Sequence, residues 1–331
     1  MNTVMFTHND LDGIGCGILH IAAGGRREDT YFCSYQNVDE VISETIKTIQ
    51  KECTELPRII IADLGIQPET AEIIDKYEGE KILLDHHKTN FWLMDKYEWA
   101  NIELGNSGTW QVFSKLDNVP FEYYEFAVHV DDYDLWTHNL PDSIRLNRLL
   151  TILGADRFIE RFLENPDVKF TETERLLLEL EEEKIERYVE KVSKSLEVYT
   201  LAFEKRLGVG FADRYVSEVA HELLDRHSLD AIALIDIHQK KISFRSQPDF
   251  DVGIIAKELG GGGHKNASGV NLHYGNITDF HGSKYPLLGV QRAIEETSFE
   301  LFWRFNRVYE RLQNSEIEKD FKKVKGGVVN D

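Results

Sequence analysis

The stretch Phe6-Thr7-His8-Asn9-Asp10-Leu11-Asp12-Gly13 follows a short apolar run and places one imidazole and two carboxylates at alternate positions. In an extended backbone, side chains two residues apart point to the same side. Two carboxylates and a histidine that converge at a strand end repel and dehydrate one another unless a cation lies among them. Asp and Asn also favour the turn that ends a strand and caps the next helix. The stretch alone therefore favours a metal site and a helix cap about equally.

Two later strand-like runs end in the same kinds of residue. The apolar run 58–62 is followed by Asp63, and the run 81–84 is followed by Asp85-His86-His87. In open α/β sheets, ligands bind beyond the carboxyl ends of the strands. A helix cap would explain Asp63, and a solvated loop would explain the histidines. Separate structural explanations for all three strand ends are less probable than one shared site. The three strand ends together predict one metal site.

Composition restricts the class of protein. The chain has 331 residues, enough for two domains with cores, and its 42% hydrophobic and 29% charged residues are ordinary for a globular protein. No apolar run approaches the ~20 residues that span a bilayer, and the first strand begins too early for a signal peptide. Three widely spaced cysteines favour a reducing compartment over a disulfide framework. We therefore expect a cytoplasmic protein with no membrane partner.

The formal charge of −20 restricts the partners. Affinity for a long polyanion depends on many Lys and Arg contacts, so tight binding of long DNA or RNA is not expected. Metal ions and a few basic residues can still hold a short phosphate ligand. The expected partners are short oligonucleotides or dinucleotides, and solubility alone is the other explanation for the charge.

Residues 1–165 alternate short apolar runs with helical patterns. Strands are predicted at 3–7, 30–33, 58–62 and 81–84, and helices at 13–23, 38–51, 68–77, 108–116, 123–130, 143–150 and 155–163. This rhythm predicts an α/β domain with a mostly parallel sheet and helices on both faces.

The second half of the chain has a different pattern. Residues 166–207 are predicted to be a helical linker, because 171–206 is rich in Glu, Lys, Leu and Arg and lacks Gly and Pro. A smaller α/β domain is predicted over 208–331. Its predicted parts are a hairpin of strands 231–236 and 241–245, a helix at 250–259, an amphipathic helix at 298–313 and a frayed end at 322–331.

The glycine run 260–263 lies in this second domain. A glycine-rich turn lets backbone N–H groups approach a phosphate closely, although flexible linkers have a similar composition. The polar and basic neighbours Arg245, Ser246, His264 and Ser268 favour a phosphate or nucleotide contact over a linker.

Three aspartates, Asp131, Asp132 and Asp134, lie within four residues at the end of a predicted helix. They are either a solvated turn or a further source of metal ligands, and their spacing cannot select one of them. Tyr133 lies among these charges and is a candidate for stacking on a nucleobase, which stabilises by ~1–3 kcal/mol. Packing in the core is the alternative.

The predicted ligands favour a particular chemistry. Asp and His suit a hard to borderline divalent cation such as Mn²⁺ or Mg²⁺, and the absence of cysteine ligands argues against structural zinc. Two such ions ~3.5–4 Å apart stabilise the attacking and leaving oxygens of a displacement at phosphorus and acidify a bridging water. The predicted reaction is therefore hydrolysis of a phosphoester or phosphoanhydride.

Five separated signatures resemble the DHH phosphoesterase superfamily. They are His8–Gly13, Asp63, Asp85-His86-His87, Asp131–Trp136 and Gly260–Gly269, the last similar to the signature of the associated C-terminal domain. The first and fourth are most similar to the oligoribonuclease (nanoRNase) branch. The resemblance implies a catalytic metal-binding domain at 1–165, a helical linker at 166–207, a substrate-binding domain at 208–331 and an active site in the cleft.

The resemblance also implies roles for individual residues. One Mn²⁺ would be held by His8, Asp10 and Asp63, and the second by Asp12, Asp63, His86 and Asp132, with Mg²⁺ or Co²⁺ as alternatives. The choice of Asp132 over Asp131 or Asp134 stays open.

Two further sets of residues are implied to act on the substrate. His87 would face the scissile phosphate, and Asp85 would orient it. The phosphate or terminal nucleotide would be held by Arg245, Ser246, Gly261, Gly262, Gly263, His264 and Ser268.

The implied function is a Mn²⁺-dependent exonuclease that trims very short RNA to mononucleotides. Alternatives are hydrolysis of a cyclic or linear dinucleotide messenger, or of 3′-phosphoadenosine 5′-phosphate. A non-catalytic nucleotide sensor would be expected to lose the metal ligands that this sequence keeps. A homodimer is compatible with all of these activities.

Overall fold

The computed structural model describes residues 2–271 and 301–314. The chain divides into two compact units, Met1–Glu179 and Leu180–Asp331, and the division falls inside a long helix. It lies within the segment 166–207 that the sequence assigns to a linker. Each unit has its own sheet and its own hydrophobic cores.

The first unit contains a five-stranded sheet in which every neighbouring pair is parallel. Its order is β2-β1-β3-β4-β5. The strands are β1 (Thr3–His8), β2 (Thr30–Cys33), β3 (Arg58–Ala62), β4 (Lys81–Asp85) and β5 (Ala100–Ile102). The predicted parallel sheet is confirmed, with β5 as a short edge strand that the sequence analysis did not identify.

Helices cover both faces of this sheet, as predicted. They are α1 (Leu11–Ala22), α2 (Val38–Glu52), α3 (Pro68–Asp75), α4 (Phe91–Lys96), α5 (Gly108–Lys115), α6 (Tyr124–Asp134), α7 (Pro141–Leu153) and α8 (Ala155–Glu164). Alternate residues of β1 enter different cores: Met5 packs with α1, α5 and α6, whereas Val4 and Phe6 pack with α2 and α3. This alternation is what a strand buried on both faces requires.

The register of the first sheet brings three strand ends together. Thr7 in β1 pairs with Ala62 in β3, and Ala62 pairs with Leu84 in β4. Because these strands are parallel neighbours, the next residues along each strand, His8, Asp63 and Asp85, lie at one edge of the sheet.

The long predicted helix over 171–206 is wrong in its second part. Helix α9 spans Glu172–Lys194, and the chain then forms β6 (Glu197–Thr200), which pairs antiparallel with β7 (Arg206–Phe211). Val198 and Thr200 are β-branched and Tyr199 is aromatic, so this short segment suits a strand. The Tyr199 ring also stacks on Phe302 with centroids 4.6 Å apart. Packing within the second unit therefore overrides the helical composition.

The second unit contains a six-stranded mixed sheet of order β10-β11-β9-β8-β7-β6. Its further elements are β8 (Ala231–Asp236), β9 (Lys241–Ser246), β10 (Gly262–Gly263), β11 (Ala267–Asn271), α10 (Val216–Arg226) and α11 (Val252–Glu258). The hairpin predicted from strands 231–236 and 241–245 is confirmed by antiparallel pairing of β8 with β9. The parallel pair β7 and β8 is joined through α10.

Residues 301–314 are helical (α12) and overlap the amphipathic segment predicted at 298–313. Leu301, Phe305 and Tyr309 of α12 are buried in the same core as β8 and α11. Residues 298–300 and the end at 322–331 lie outside the described residues. Among the helices that the structure describes, none has the length and apolarity needed to cross a membrane.

Candidate metal centre

Asp63 is the central residue of the candidate site. It follows β3 with a left-handed φ of 55°, a conformation that costs a non-glycine residue about 1–3 kcal/mol. Its backbone N–H donates to the Leu84 carbonyl oxygen at 2.9 Å, so the turn continues the pairing with β4. The carboxylate is only 2% exposed. The fold thus holds a strained, buried aspartate at the sheet edge.

His8 and Asp10 form a first group of metal-competent atoms with Asp63. His8 Nδ1 lies 2.8 Å from Asp10 Oδ2 and 3.9 Å from Asp63 Oδ2. Asp10 is also the N-cap of α1, because its Oδ1 accepts a hydrogen bond from the Gly13 N–H at 3.0 Å. The helix cap and the acidic cluster weighed in the sequence analysis thus coexist in this stretch.

A second group consists of Asp12, His86 and Asp134. His86 Nε2 lies 3.8 Å from Asp12 Oδ2 and 3.4 Å from Asp134 Oδ2. The same nitrogen is 3.3 Å from Asp63 Oδ1, so Asp63 faces both groups. The motif at the end of β1 and the motifs after β3 and β4 therefore meet, together with the end of α6.

The N-terminus of α5 fixes Asp12. Its two carboxylate oxygens accept hydrogen bonds from the backbone N–H groups of Gly108 and Thr109 at 2.7 and 2.8 Å. A side chain at Gly108 would not fit, since a Cβ there would lie 2.7 Å from Asp63 Cβ and 3.0 Å from Asp12 Oδ2. The positive end of the helix dipole also stabilises the buried Asp12 charge.

The electrostatics of the cluster are dominated by burial and by like charge. Burial, reinforced by Asp12 and Asp10, raises the pKa of Asp63 well above its usual value. Burial, reinforced by the same two carboxylates, raises the pKa of Asp134 to about 9. Burial lowers the pKa of His86. The two carboxylate shifts are those expected for anions gathered without a counter-charge, whereas the His86 shift comes from burial and is opposed by Asp12.

The donor set fits a divalent cation. Within the described part of the chain, Asp63 Oδ2 and Asp134 Oδ2 are buried without a hydrogen-bond partner. Buried polar atoms are nearly always partnered, so such atoms need an explanation. Imidazole nitrogen and carboxylate oxygen are ligands that Mn²⁺ and Mg²⁺ accept. A cation among these atoms would provide their partner and offset the repulsion between the carboxylates.

His87 is held separately by Asp85. Asp85 is fully buried, and its Oδ1 lies 2.8 Å from His87 Nδ1 while its Oδ2 accepts from Asn90 Nδ2 at 2.5 Å. Burial opposes protonation of His87, but the hydrogen bond and charge of Asp85 outweigh it and raise the pKa of His87. Nε2 of His87 faces away from Asp85 and lies 3.5 Å from the Tyr35 hydroxyl.

The three neighbouring aspartates have three different positions. Asp131 Oδ1 accepts from the Ser107 N–H at 2.6 Å, beside the start of α5. Asp132 accepts from the Thr137 hydroxyl at 2.6 Å and from the Asn139 N–H at 2.8 Å, so it fixes the loop after α6. Asp134 alone joins the groups that could hold a metal. Asp132 as a ligand stays a prediction, and Asp134 is the one of the three aspartates that lies within reach of the other candidate ligands.

Both serines predicted to bind substrate are bonded inside the second unit. Ser246 Oγ donates to the Phe250 carbonyl at 2.6 Å and accepts from Asn266 Nδ2 at 3.0 Å. Ser268 Oγ donates to the Val252 carbonyl at 2.8 Å. Both residues are buried. Their hydroxyls therefore hold the glycine-rich hairpin against α11.

The predicted glycines form that hairpin. Gly262 and Gly263 in β10 pair with β11, and Gly263 has a φ of 132°. A Cβ at Gly261 would lie 2.1 Å from the Gly269 carbonyl oxygen, which explains the glycine there. The side chain of His264 is exposed, and its backbone N–H closes the turn on the Ala267 carbonyl at 2.8 Å.

Arg245 lies on β9 of the same sheet and is half-buried. Its guanidinium donates to the Phe244 carbonyl at 3.0 Å and to Ser217 Oγ at 3.2 Å. Burial lowers its pKa. Among the described residues, no carboxylate contributes to that shift.

Sequence reasoning missed Tyr35 and the role of α5. Tyr35 lies in a loop after β2 and has no motif around it. The start of α5 is signalled by Ser107-Gly108-Thr109, in which Ser107 Oγ accepts from the Trp110 N–H as an N-cap. That pattern identifies a helix start, but not the carboxylate that binds there.

Two comparisons with known proteins identify the family of this chain. Residues 199–281 match the model of the DHHA1 domain family. The chain is 32% identical to oligoribonuclease NrnB of Bacillus subtilis, over 81% of this chain and 72% of that protein.

Solved structures share the fold at low sequence identity. The pGpG-specific phosphodiesterase PggH from Vibrio cholerae matches with a TM-score of 0.52 and 15% identity, over 84% of this chain and 96% of that chain. An exonuclease RecJ bound to manganese matches with a TM-score of 0.50 and 15% identity, over 94% of this chain and 90% of that chain.

The chain belongs to the DHH phosphoesterase superfamily, as the similarity to NrnB and the DHHA1 match show. It is an enzyme of the phosphoesterase and exonuclease class. The resemblance stated from the sequence is thereby confirmed.

Proposed function

We propose that this enzyme is a Mn²⁺-dependent exonuclease that hydrolyses very short oligoribonucleotides to mononucleotides. The observation that carries the proposal is the convergence of His8, Asp10, Asp12, Asp63 and His86 with Asp134 at one sheet edge. The 32% identity to an oligoribonuclease supports the substrate class.

The proposed ligands form two sets that share Asp63. His8, Asp10 and Asp63 would hold one ion, and Asp12, Asp63, His86 and Asp134 would hold the second. When bound, such a pair of ions supplies charge neutralisation at the phosphate and an acidified water as nucleophile. Manganese is the proposed metal because the ligands mix imidazole with carboxylate, and because a structural relative, RecJ, is described with manganese bound.

His87 and Asp85 are proposed to act on the substrate side. The hydrogen bond to Asp85 fixes the His87 ring and favours a proton on Nδ1, leaving Nε2 to face the scissile phosphate. A raised pKa makes the protonated ring more available. Such a ring can neutralise charge that develops on phosphate oxygens or protonate the leaving group.

Within the second unit, Arg245 and His264 are proposed to bind the phosphate or the terminal nucleotide. No carboxylate among the described residues contributes to the pKa shift of Arg245, and the His264 side chain is exposed. The glycines 261–263 provide a hairpin on which His264 is presented. Ser246 and Ser268 are left out of this set because their hydroxyls are bonded to backbone carbonyls.

The overall charge supports a short substrate. A chain with a formal charge of −20 repels a long polyanion, whereas two divalent ions and a few basic groups match a few phosphates. We therefore expect turnover to fall as the RNA becomes longer.

The test is a comparison of substrates. Purified protein with Mn²⁺ is incubated with RNA of two to five residues, a long RNA, a linear dinucleotide with a 5′-phosphate, a cyclic dinucleotide and 3′-phosphoadenosine 5′-phosphate. Release of mononucleotides from the short RNA, with little from the long RNA, is expected. Equal rates on long RNA, or turnover of the cyclic dinucleotide or of 3′-phosphoadenosine 5′-phosphate alone, would reject the proposal.

A further inference from the structure

Tyr35 occupies a position that the proposed mechanism does not yet use. It lies in the loop between β2 and α2, and its ring is tilted against His8 with centroids 4.5 Å apart. Its hydroxyl lies 3.5 Å from His87 Nε2. One side chain thus contacts both a candidate metal ligand and the histidine proposed to face the phosphate.

Ordinary packing does not account for this position. Tyr35 is 55% exposed, and it lies apart from the buried clusters of the first unit. The loop itself is fixed from another residue, since Asn37 Oδ1 accepts from the backbone N–H of Ser34 at 2.8 Å. An exposed tyrosine that is held beside two histidines is better explained by a ligand than by the core.

The charge around Tyr35 selects the kind of contact that it can make. Asp10, Asp63 and Asp85 lie near the phenol. A phenol hydroxyl is neutral at working pH and can donate a hydrogen bond. A neutral donor suits this position, because it can donate a hydrogen bond to an anionic ligand without adding another negative charge beside the carboxylates.

The direction of approach is set by His87. Its Nδ1 is occupied by Asp85, so Nε2 is the ring nitrogen that can meet a substrate. The separation of 3.5 Å between Nε2 and the Tyr35 hydroxyl is longer than a strong hydrogen bond. A phosphate oxygen placed beside both groups could accept from each of them at normal distances.

We propose that Tyr35 is a further substrate-binding residue whose hydroxyl donates a hydrogen bond to a non-bridging oxygen of the scissile phosphate, beside His87. This inference rests on the proposed phosphodiesterase function. It adds a neutral donor to the site, and it assigns the Tyr35 ring the separate task of covering His8.

The decisive variant is Tyr35→Phe, which keeps the ring against His8 and removes only the hydroxyl. Tyr31→Phe is the matched control, since Tyr31 is on the same strand–loop segment but stacks on Phe6. For Tyr35→Phe we expect kcat on a dinucleotide to fall about 10²–10³-fold, the range in which loss of one donor to a developing oxyanion falls. Tyr31→Phe should match the unchanged protein.

Two measurements separate phosphate binding from a structural role. Affinity for the mononucleotide product, measured by calorimetry with no turnover, should fall about tenfold in Tyr35→Phe, while Mn²⁺ affinity and the melting temperature stay unchanged. On the phosphorothioate diastereomer whose sulfur replaces the accepting oxygen, the difference between Tyr35→Phe and unchanged protein should largely disappear, because sulfur accepts poorly.

The outcomes are distinguishable. If the unchanged protein hydrolyses no dinucleotide, the proposed function fails. If it does, and Tyr35→Phe has the same kcat and product affinity, the inference on Tyr35 is overturned while the function stands. A Tyr35→Phe protein that loses Mn²⁺ affinity or melts earlier would also overturn it, since the hydroxyl would then act on the metal site or on the fold.

Discussion

The edge of the first sheet and the glycine-rich hairpin of the second sheet both carry predicted site residues, but their polar atoms are satisfied differently. At the sheet edge, Asp63 Oδ2 and Asp134 Oδ2 are buried without hydrogen-bond partners in the part of the chain that is described, and Asp63 has a left-handed φ. In the hairpin, the hydroxyls of Ser246 and Ser268 bond to backbone carbonyls.

This difference shows which region would gain stability by binding a ligand. Unpartnered anions at the sheet edge destabilise the metal-free fold, so a cation there gains both new bonds and relief of repulsion. In the hairpin, the hydroxyls of the buried serines have hydrogen-bond partners, so these residues stabilise its conformation. Contacts from that region to a ligand must therefore come from exposed groups such as His264.

Asp63→Asn is expected to have the largest effect on activity, and it tests the contrast between the sheet edge and the hairpin. Loss of the residue that faces both ligand groups should reduce turnover of a dinucleotide by about 10²–10³-fold or more. At neutral pH and without metal, the same variant should melt at a higher temperature, because the raised pKa of Asp63 means that its charge destabilises the fold. Activity assays and thermal unfolding in a chelator measure the two effects.

Addition of Mn²⁺ completes that test. The unchanged protein should gain melting temperature with rising Mn²⁺, and Asp63→Asn should gain little. A variant that is less stable than the unchanged protein in the chelator would show that Asp63 is satisfied within the fold, as the hairpin serines are.

The next effect contrasts Asp134 with Asp132. Asp134→Asn should lower activity by about 10²-fold and weaken Mn²⁺ binding, because a buried ligand oxygen is replaced. Asp132→Asn should chiefly lower the free energy of unfolding by about 1–3 kcal/mol, because Asp132 accepts hydrogen bonds from the loop after α6. The reverse pattern in metal titration and denaturation would restore Asp132 as the ligand.

His20 provides a satisfied histidine in the first unit. It is 2% exposed, and its ring nitrogens lie 2.6 Å from Thr3 Oγ1 and 2.9 Å from Thr30 Oγ1. Burial lowers its pKa to about 4, so below pH ~6.5 the unfolded chain binds a proton that the folded chain does not. Stability should therefore fall as the pH falls from about 6.5 towards 4, by up to about 3 kcal/mol.

His20→Gln is the corresponding variant. It should be less dependent on pH than the unchanged protein across that window in chemical denaturation, while Mn²⁺ affinity at neutral pH is retained. Parallel pH profiles for the two proteins would show that His20 does not contribute to the acid sensitivity.

The smallest effects separate residues within the hairpin. Ser246→Ala should lower the free energy of unfolding by about 1–2 kcal/mol, because the Asn266 amide loses an acceptor, while KM changes little. His264→Ala should leave stability unchanged and raise KM several-fold. If Ser246→Ala raises KM without a loss of stability, the hairpin serine contacts the ligand after all.

The parallel sheet was predictable because its strands are short apolar runs separated by helical patterns. The convergence of His8, Asp63 and Asp85 was predictable for the same reason, since parallel neighbours end at one edge. The strand β6 was not predicted, because its four residues are too few to show a strand pattern beside the long helical run, and the strand is defined by its pairing with β7.

The candidate ligands were less predictable where side-chain direction matters. Asp132 and Asp134 lie two residues apart on the last turn of α6, so their side chains point in different directions. Only the structure of the loop after α6 shows that Asp132 accepts its hydrogen bonds from that loop. Tyr35 was missed because its contacts to His8 and His87 join distant parts of the chain. Spacing along the sequence carries no information on such contacts.

The close approach of α5 has a consequence for how this enzyme could be altered. The backbone of Gly108 lies between Asp12 and Asp63, and a Cβ there would contact both side chains. The first two N–H groups of α5 donate hydrogen bonds to the Asp12 carboxylate. The position of Asp12 beside Asp63 thus depends on where one helix begins. Any change that shifts α5 along its axis would move Asp12 relative to the other candidate ligands, and with it the fit of this site to a cation.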